Sequence, residues 1–474
     1  MSKQRSFNTF RMMFPEFVYE SYKYDTREDG FHMSFRFCLN DKIVFEPTAF
    51  FPARPFLNFD QPKSLLDQLV FNVGMIELIS YWKACCPKTV VVKCAPAHFM
   101  DDARPEERDR TVAFWKKLYY NGLGEFFYVN SITTTYDDFL NFRVEAAQSQ
   151  DAPSDLLSAK RPLFSQASDY LVPIGGGKDS VVTLEALKNA GRGVRPLIMN
   201  PRGATTLCAE RGGFSLEESV VVRRTIHPQL LDLNKKGCLN GHTPFSAMLA
   251  FYTLLASTFA GVPNVALSNE SSANESTVVG TNVNHQYSKS LEFENDFRNY
   301  VADILYRAAP DAKPNYFSFL RPLSELQIAM LFAREPKYFD VFKSCNAGSK
   351  TDIWCGNCPK CLFAYIILSP FVEPDRLRTI FGKDLLDDPA LKLFFDQLTG
   401  HAETKPFECV GTIDEVNSAL SMTIDRWYAA SPLPCLLKDY RPQPPSTPLQ
   451  SLFPEHNLTP SELDILKQCI ENHN

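Results

Sequence analysis

The sequence predicts an α/β protein in which a parallel-sheet domain over 160–370 follows an N-terminal α+β domain over 1–150 and precedes a helical, Pro-rich region over 371–474. Three observations predict it. Strand-like and helix-like segments alternate from Tyr170 to Leu267, the pattern of a parallel sheet wound by right-handed crossovers. Upstream, short β-type runs broken by turn signals give way to long apolar-periodic segments. The 474 residues also exceed what one core can hold, so two or three domains are expected.

The first strands are expected over 22–25, 31–38 and 42–46, separated by Glu28-Asp-Gly30 and Asn40-Asp41. Phe31, Met33, Phe35 and Phe37 alternate with polar residues, the period of a half-buried strand in an antiparallel meander. Pro47, Pro52 and Pro55 close this section. An amphipathic helix is expected over 64–83, a strand over 89–92, and a helix over 106–120 that stops at Asn121-Gly122. A polar stretch over 145–160 reads as a linker. Then come a strand over 170–174, a loop over 175–178, a helix over 180–190 and a strand over 194–199. A further helix over 247–260 leads into a strand over 264–267. The chain closes on a capped helix, with Thr459 as N-cap, Pro460 at the first position and Glu462 three residues after the cap.

Composition removes several function classes. With 45% hydrophobic and 22% charged residues the chain is ordinary globular protein. Lys plus Arg against Asp plus Glu gives 49 − 55 = −6, which argues against a nucleic-acid partner. Thirteen cysteines, an odd count in a long chain, point to reduced thiols and a cytoplasmic location. The start has no apolar h-region. The uncharged stretch 245–262 touches the lower limit for a membrane span, but its Ser, Thr and Gly content favours a buried helix, so no membrane is expected.

The strongest motif is Leu171-Val-Pro-Ile-Gly-Gly-Gly-Lys-Asp-Ser180. Gly175, Gly176 and Gly177 leave a strand and let successive N–H groups converge, and Ser180 opens a helix whose positive end suits a pyrophosphate. Lys178 can neutralise a phosphoryl oxygen, and Asp179 can hold Mg²⁺. A Walker loop is excluded, because Val172 stands where its first Gly belongs and Asp179 where Ser or Thr should follow the Lys. The loop resembles the PP-loop of the ATP pyrophosphatase superfamily, Ser-Gly-Gly-x-Asp-Ser, with Gly175 in place of the leading Ser. Members of that superfamily split ATP between the α and β phosphates to activate a carboxylate or carbonyl.

Cys345, Cys355, Cys358 and Cys361 have the spacing C-x9-C-x2-C-x2-C, a donor set for tetrahedral Zn²⁺ in a closed, structural site. An iron–sulfur cluster and unligated thiols are the competing readings. Three polar segments fall at expected strand ends: 200–206, where Asn200 can contact adenosine, 269–276 and 284–290. Asn240-Gly-His242-Thr-Pro is a weaker fourth, since a lone His is more often a satisfied structural residue.

Together with Gly122-Leu-Gly-Glu-Phe-Phe-Tyr-Val-Asn130, Ser268-Asn-Glu-Ser-Ser-Ala273 and Val283-Asn-His-Gln-Tyr-Ser-Lys-Ser290, these pieces resemble the UDP-N-acetylmuramoyl-L-alanyl-L-glutamate epimerases. The resemblance spans about 20–370 and leaves the last hundred residues uncovered. It implies ATP and Mg²⁺ as cofactors, a nucleotide-sugar dipeptide as substrate, and inversion of its terminal L-glutamate through an acyl-adenylate in peptidoglycan precursor synthesis. His285 is then the first choice for proton transfer, with Lys289 and Glu270 next as a second acid/base group or metal ligand, and Lys178 stabilising charge during adenylation. The rival readings are a carboxylate-amidating enzyme like the 7-cyano-7-deazaguanine synthases, a tRNA-modifying member of the superfamily, which would need a basic surface, and a non-catalytic nucleotide-binding regulator.

Overall fold

The computed structural model describes residues 3–96, 99, 105–145, 164, 168–275, 284–307, 313–446 and 448–471. Beyond Glu145 the expected linker lies outside these residues, as do Ser276 and Val283 of the polar segments. In chain order the strands are β1 (Glu16–Arg27), β2 (Gly30–Leu39), β3 (Ile43–Phe45), β4 (Thr48–Pro52), β5 (Thr89–Val92), β6 (Asn141–Val144), β7 (Tyr170–Pro173), β8 (Val194–Met199), β9 (Val220–Arg224), β10 (Asn264–Leu267) and β11 (Asn315–Ser318). With its many helices this is a mixed α/β protein. It divides into two compact units, neither of them a single stretch of chain: unit 1 is Met1–Asp169, Val220–Val265 and Tyr287–Tyr316, and unit 2 is Tyr170–Ser219, Ala266–Gln286 and Phe317–Asn474.

In unit 1 the strand order is β9-β4-β2-β1-β5-β6, with β3 added to β2. The β1/β2, β2/β3, β2/β4 and β4/β9 pairs are antiparallel, whereas β1/β5 and β5/β6 are parallel. Phe31, Met33, Phe35 and Phe37 all point inward from β2, as their alternation predicts. The helix Lys63–Trp82 departs from expectation: every residue from Leu65 to Trp82 is buried, so it is a central helix and not an amphipathic one. Two of its buried carboxylates are held by specific partners. Asp67 accepts from Tyr24 Oη at 2.7 Å, and Glu77 accepts from Tyr252 Oη at 2.9 Å and from Arg224 Nη2 at 2.6 Å. The uncharged stretch forms the helix Phe245–Ala260, buried from Ala247 except at one position and closed by Gly261 in the left-handed region. No helix among the described residues is long and apolar enough to cross a membrane.

Unit 2 has the strand order β11-β10-β7-β8, with β7 and β8 parallel. One apolar core joins β7 and the helix Lys178–Asn189 (Val172, Val181, Leu184) to the helices Glu325–Phe332 (Leu326), Pro359–Leu368 (Ile366), Ile413–Thr423 (Leu420) and Pro460–Glu471 (Leu466). The C-terminal residues are therefore part of the core around the glycine loop. Their last helix carries the expected reciprocal cap: Thr459 N donates to Glu462 Oε2 at 2.7 Å, and Glu462 N to Thr459 Oγ1 at 3.4 Å.

Candidate active site

Strand β7 is buried along its length and releases the chain into Ile174–Gly177, after which Gly177 caps the helix Lys178–Asn189. That helix starts two residues earlier than expected. Gly176 has φ +83°, and a Cβ there would lie 3.0 Å from Ala204 C and Cβ, so both backbone conformation and packing demand glycine. Its carbonyl accepts from Lys343 N at 2.7 Å. A Cβ on Gly175 would meet nothing within 4 Å, so packing does not dictate glycine where the superfamily carries Ser. The Ser180 hydroxyl donates to the Gly177 carbonyl at 3.0 Å, tying the turn shut.

The carboxylates gather at the start of that helix. Asp179, Glu270 and Glu325 each bring an oxygen within 4.8 Å of the others. Lys178 is buried and ion-paired to both Asp179 and Glu325. Burial works against the Lys178 charge, but the two carboxylates outweigh it and raise its pKa. Burial pushes the Glu325 carboxyl up; Lys178 opposes this, and Asp179, Glu270 and Glu415 add to the rise. Glu270 is 1% exposed, and its Oε2 has no hydrogen-bond partner. Three hard oxygen donors, one of them orphaned, with negative charge in excess, fit a Mg²⁺-type cation. Arg321, itself buried, fixes the Glu270 backbone by donating from Nη1 to its carbonyl at 2.6 Å.

Glu325 and Glu415 were not among the residues singled out from sequence. Each lies within a capping box, Ser324-x-x-Gln327 and Thr412-x-x-Glu415, which marks a helix start but not its neighbours.

Asn200 follows β8, exposed and at φ 49°. Nearby, Arg202 Nη2 donates to the Gly175 carbonyl at 3.3 Å and Nη1 to Asp352 Oδ1 at 3.1 Å. The Asp352 carboxylate also accepts from Gly203 N and Ala204 N, both at 2.9 Å, capping the helix Gly203–Arg211. Partial burial works against its charge, but these donors hold the carboxyl below its usual range.

Asp352 belongs to the cysteine segment. The sulfurs of Cys345 and Cys358 are 3.7 Å apart, those of Cys355 and Cys361 3.7 Å, and those of Cys358 and Cys361 3.5 Å. Four thiolates about 2.3 Å from a tetrahedral Zn²⁺ stand roughly 3.8 Å from one another, so the donor set and its spacing fit that ion. Cys358 caps the helix Pro359–Leu368, whose positive end favours thiolate. All 13 cysteines are free thiols.

In unit 2, the Asn284 side chain donates to the Ala273 carbonyl at 2.9 Å and accepts from Gln286 N at 2.7 Å, which holds the turn carrying His285 against the 269–275 segment. His285 is half-buried near Glu408, whose carboxyl is raised by burial and lowered by Lys360 and His285. Lys289 lies in unit 1, in the 3₁₀ turn Tyr287–Lys289. The structure thus groups Lys178, Asp179 and Glu270, and assigns the two remaining proton-transfer candidates to different units.

The family model described as the MurL N-terminal domain matches residues 8–319, and the one described as the MurL C-terminal domain matches 341–443. A Xanthomonas oryzae pv. oryzae protein named UDP-N-acetyl-alpha-D-muramoyl-L-alanyl-L-glutamate epimerase is 34% identical over 429 residues, 87% of this chain and 89% of its own length. Proteins of the same name from Salinispora tropica and Micromonospora sp. are 35% and 34% identical, covering 77% and 79% of this chain and 74% and 79% of their own. No solved structure matches. These likenesses fix the class, an isomerase of the epimerase kind. Within that class, the chain belongs to the MurL family.

Proposed function

We propose that this protein inverts the terminal L-glutamate of UDP-N-acetylmuramoyl-L-alanyl-L-glutamate, in a reaction that consumes ATP, requires Mg²⁺ and passes through an acyl-adenylate. The substrate comes from the names of the relatives. The observation that carries the mechanism is the convergence of Asp179, Glu270 and Glu325 beside the Gly175–Gly177 turn. We read the turn as a PP-loop-type phosphate site.

The α-proton of a carboxylate is hard to remove because the resulting dianion has nowhere to put its charge. Conversion to a mixed anhydride with AMP lets the carbanion delocalise as an enolate. A base then takes the proton, an acid returns one to the opposite face, and water releases the D-glutamyl product, AMP and pyrophosphate. On this reading the loop N–H groups bind phosphate oxygens, and Lys178 balances the local carboxylates. Asp179, Glu270 and Glu325 would hold Mg²⁺, which supplies charge neutralisation on the phosphates when bound. The company of Asp179 and Glu325 favours Glu270 as a metal ligand over a base. His285 is the preferred proton-transfer group in unit 2, since imidazole titrates near neutral pH; Lys289 is the alternative. Asn200 is assigned to the adenosine side. The four cysteines would hold a structural Zn²⁺. We place the protein in the cytoplasm with a small-molecule substrate and neither nucleic acid nor membrane as partner.

The test is incubation with ATP, Mg²⁺ and the L-glutamyl substrate in D₂O. Formation of AMP and pyrophosphate with deuterium entering the glutamate α-position is the expected result. Its absence with active, folded protein overturns the reading.

A further inference from the structure

The glycine turn of unit 2 carries opposite charges at its two ends. At its helix end stand Asp179, Glu270 and Glu325, with Lys178 paired to two of them. At its strand end stands Arg202, from the segment that follows β8 in the same unit. Three contacts fix its guanidinium. Nη2 donates to the carbonyls of Gly175 (3.3 Å) and Lys343 (3.5 Å), and Nη1 to Asp352 Oδ1 (3.1 Å). Asp352 is itself seated by the main-chain N–H groups of Gly203 and Ala204, so it holds the guanidinium from a fixed point. These contacts use one hydrogen of Nη1 and both of Nη2. The Nε hydrogen and the second on Nη1 meet no acceptor among the described residues, and the side chain keeps 29% exposure. Beside it Gly175 is exposed, and a Cβ there would meet nothing within 4 Å. A fixed cation with donors to spare therefore borders open space at the start of the turn.

We propose that Arg202 binds the pyrophosphate portion of ATP at this turn and stabilises it as the leaving group. The proposal rests on reading the turn as an ATP site. A polyphosphate laid along the turn is repelled by the carboxylates at the helix end unless a divalent cation is bound there. At the strand end it meets a preset guanidinium, whose planar fork matches phosphate oxygens. In adenylation a substrate carboxylate oxygen bonds to the α-phosphorus, the α–β P–O bond breaks, and the electron pair of that bond leaves on pyrophosphate. The leaving group gains negative charge, so a fixed cation beside it stabilises the transition state more than the ground state. Asp352 is a positioning residue for Arg202. A strut between Asp352 and the turn would need no spare donors, because Asp352 already has two main-chain partners.

The experiment titrates ATP, pyrophosphate and adenosine, each with Mg²⁺, into the full chain by calorimetry, for wild type, Arg202→Gln and Arg202→Lys. Thermal unfolding is followed on the same samples. Arg202→Gln should bind pyrophosphate and ATP about 10- to 100-fold more weakly and adenosine as wild type does. Arg202→Lys, which keeps the charge but not the fork, should fall between the two. Unchanged pyrophosphate affinity in Arg202→Gln overturns the proposal. So does an equal loss for adenosine and pyrophosphate, which assigns Arg202 to holding the turn in shape. Wild type that binds pyrophosphate yet forms no AMP with the L-glutamyl substrate would overturn the adenylate reading alone, and the variant comparison would still decide Arg202. Wild type that binds neither ATP nor pyrophosphate overturns both.

Discussion

The main-chain N–H of Glu325 donates to the Glu415 carboxylate at 2.8 Å, and the other oxygen of Glu415 accepts from Thr412 N at 2.7 Å. A residue from the C-terminal region thereby seats a member of the carboxylate cluster. Glu415→Ala would leave the buried Glu325 N–H and the partly buried Thr412 N–H without this acceptor, and we expect about 2–4 kcal/mol of lost stability in urea unfolding. Glu415→Gln, which keeps one acceptor, should lose less. Equal losses for the two variants would contradict this account.

Gly176 and Gly175 should respond oppositely to alanine. At Gly176 the left-handed backbone and the contact with Ala204 predict a cost of about 1–3 kcal/mol and loss of AMP formation. At Gly175 the open space predicts a stability change within about 0.5 kcal/mol. Thermal unfolding of both variants, with AMP assayed by chromatography, checks the contrast.

The cysteine cluster should retain ~1 zinc ion per chain, and no iron, through purification in metal-free buffer, as read by elemental mass spectrometry. Cys358→Ser should lose the metal and unfold at lower temperature. Cys435→Ser, outside the cluster, should keep it. Full thermal stability after complete chelation would remove the metal from the fold's energetics.

Lys83 offers a pH test in unit 1. Burial, then the Arg224 charge, pulls its pKa from 10.5 down to about 8, with Glu125 and Cys86 opposing. Between those values the unfolded chain binds more protons than the folded one, so folding stability rises with pH across that window. Below pH 8 the protein carries the full penalty, roughly 3 kcal/mol for a shift of that size. The stability difference between wild type and Lys83→Met should therefore move in favour of wild type between pH 7.5 and 10. A difference that does not change with pH would show that Lys83 titrates normally.

What was legible in the sequence was local. Strands β5, β8 and β10 run where short β-branched or apolar runs between turn residues put them, and the Thr459/Glu462 cap depends on neighbours three residues apart. Strand β4 was hidden because Pro47 and Pro52 flank it and read as a break, yet Pro52 only ends the strand. The spacing of apolar residues predicts an amphipathic helix at Lys63–Trp82, but the burial of Glu77 depends on Arg224 and Tyr252, 147 and 175 residues later, which no local pattern shows. The site followed the same rule. Gly175–Ser180 and the cysteines are contiguous motifs and could be read directly. Glu325 reaches Lys178 across 147 residues and Glu415 across 90, so no spacing pattern reveals either contact.

The chain passes between its two units after Asp169, Ser219, Val265, Gln286 and Tyr316, and the passages at Val265 and Tyr316 fall within strands β10 and β11. The units are therefore not beads that were threaded end to end. A fragment ended at any of these junctions carries pieces of one unit without the rest, and with them strand edges that have lost their neighbours, an invitation to aggregate. Inheritance, expression and refolding must all handle the full chain as one object, however clearly the finished protein divides in two.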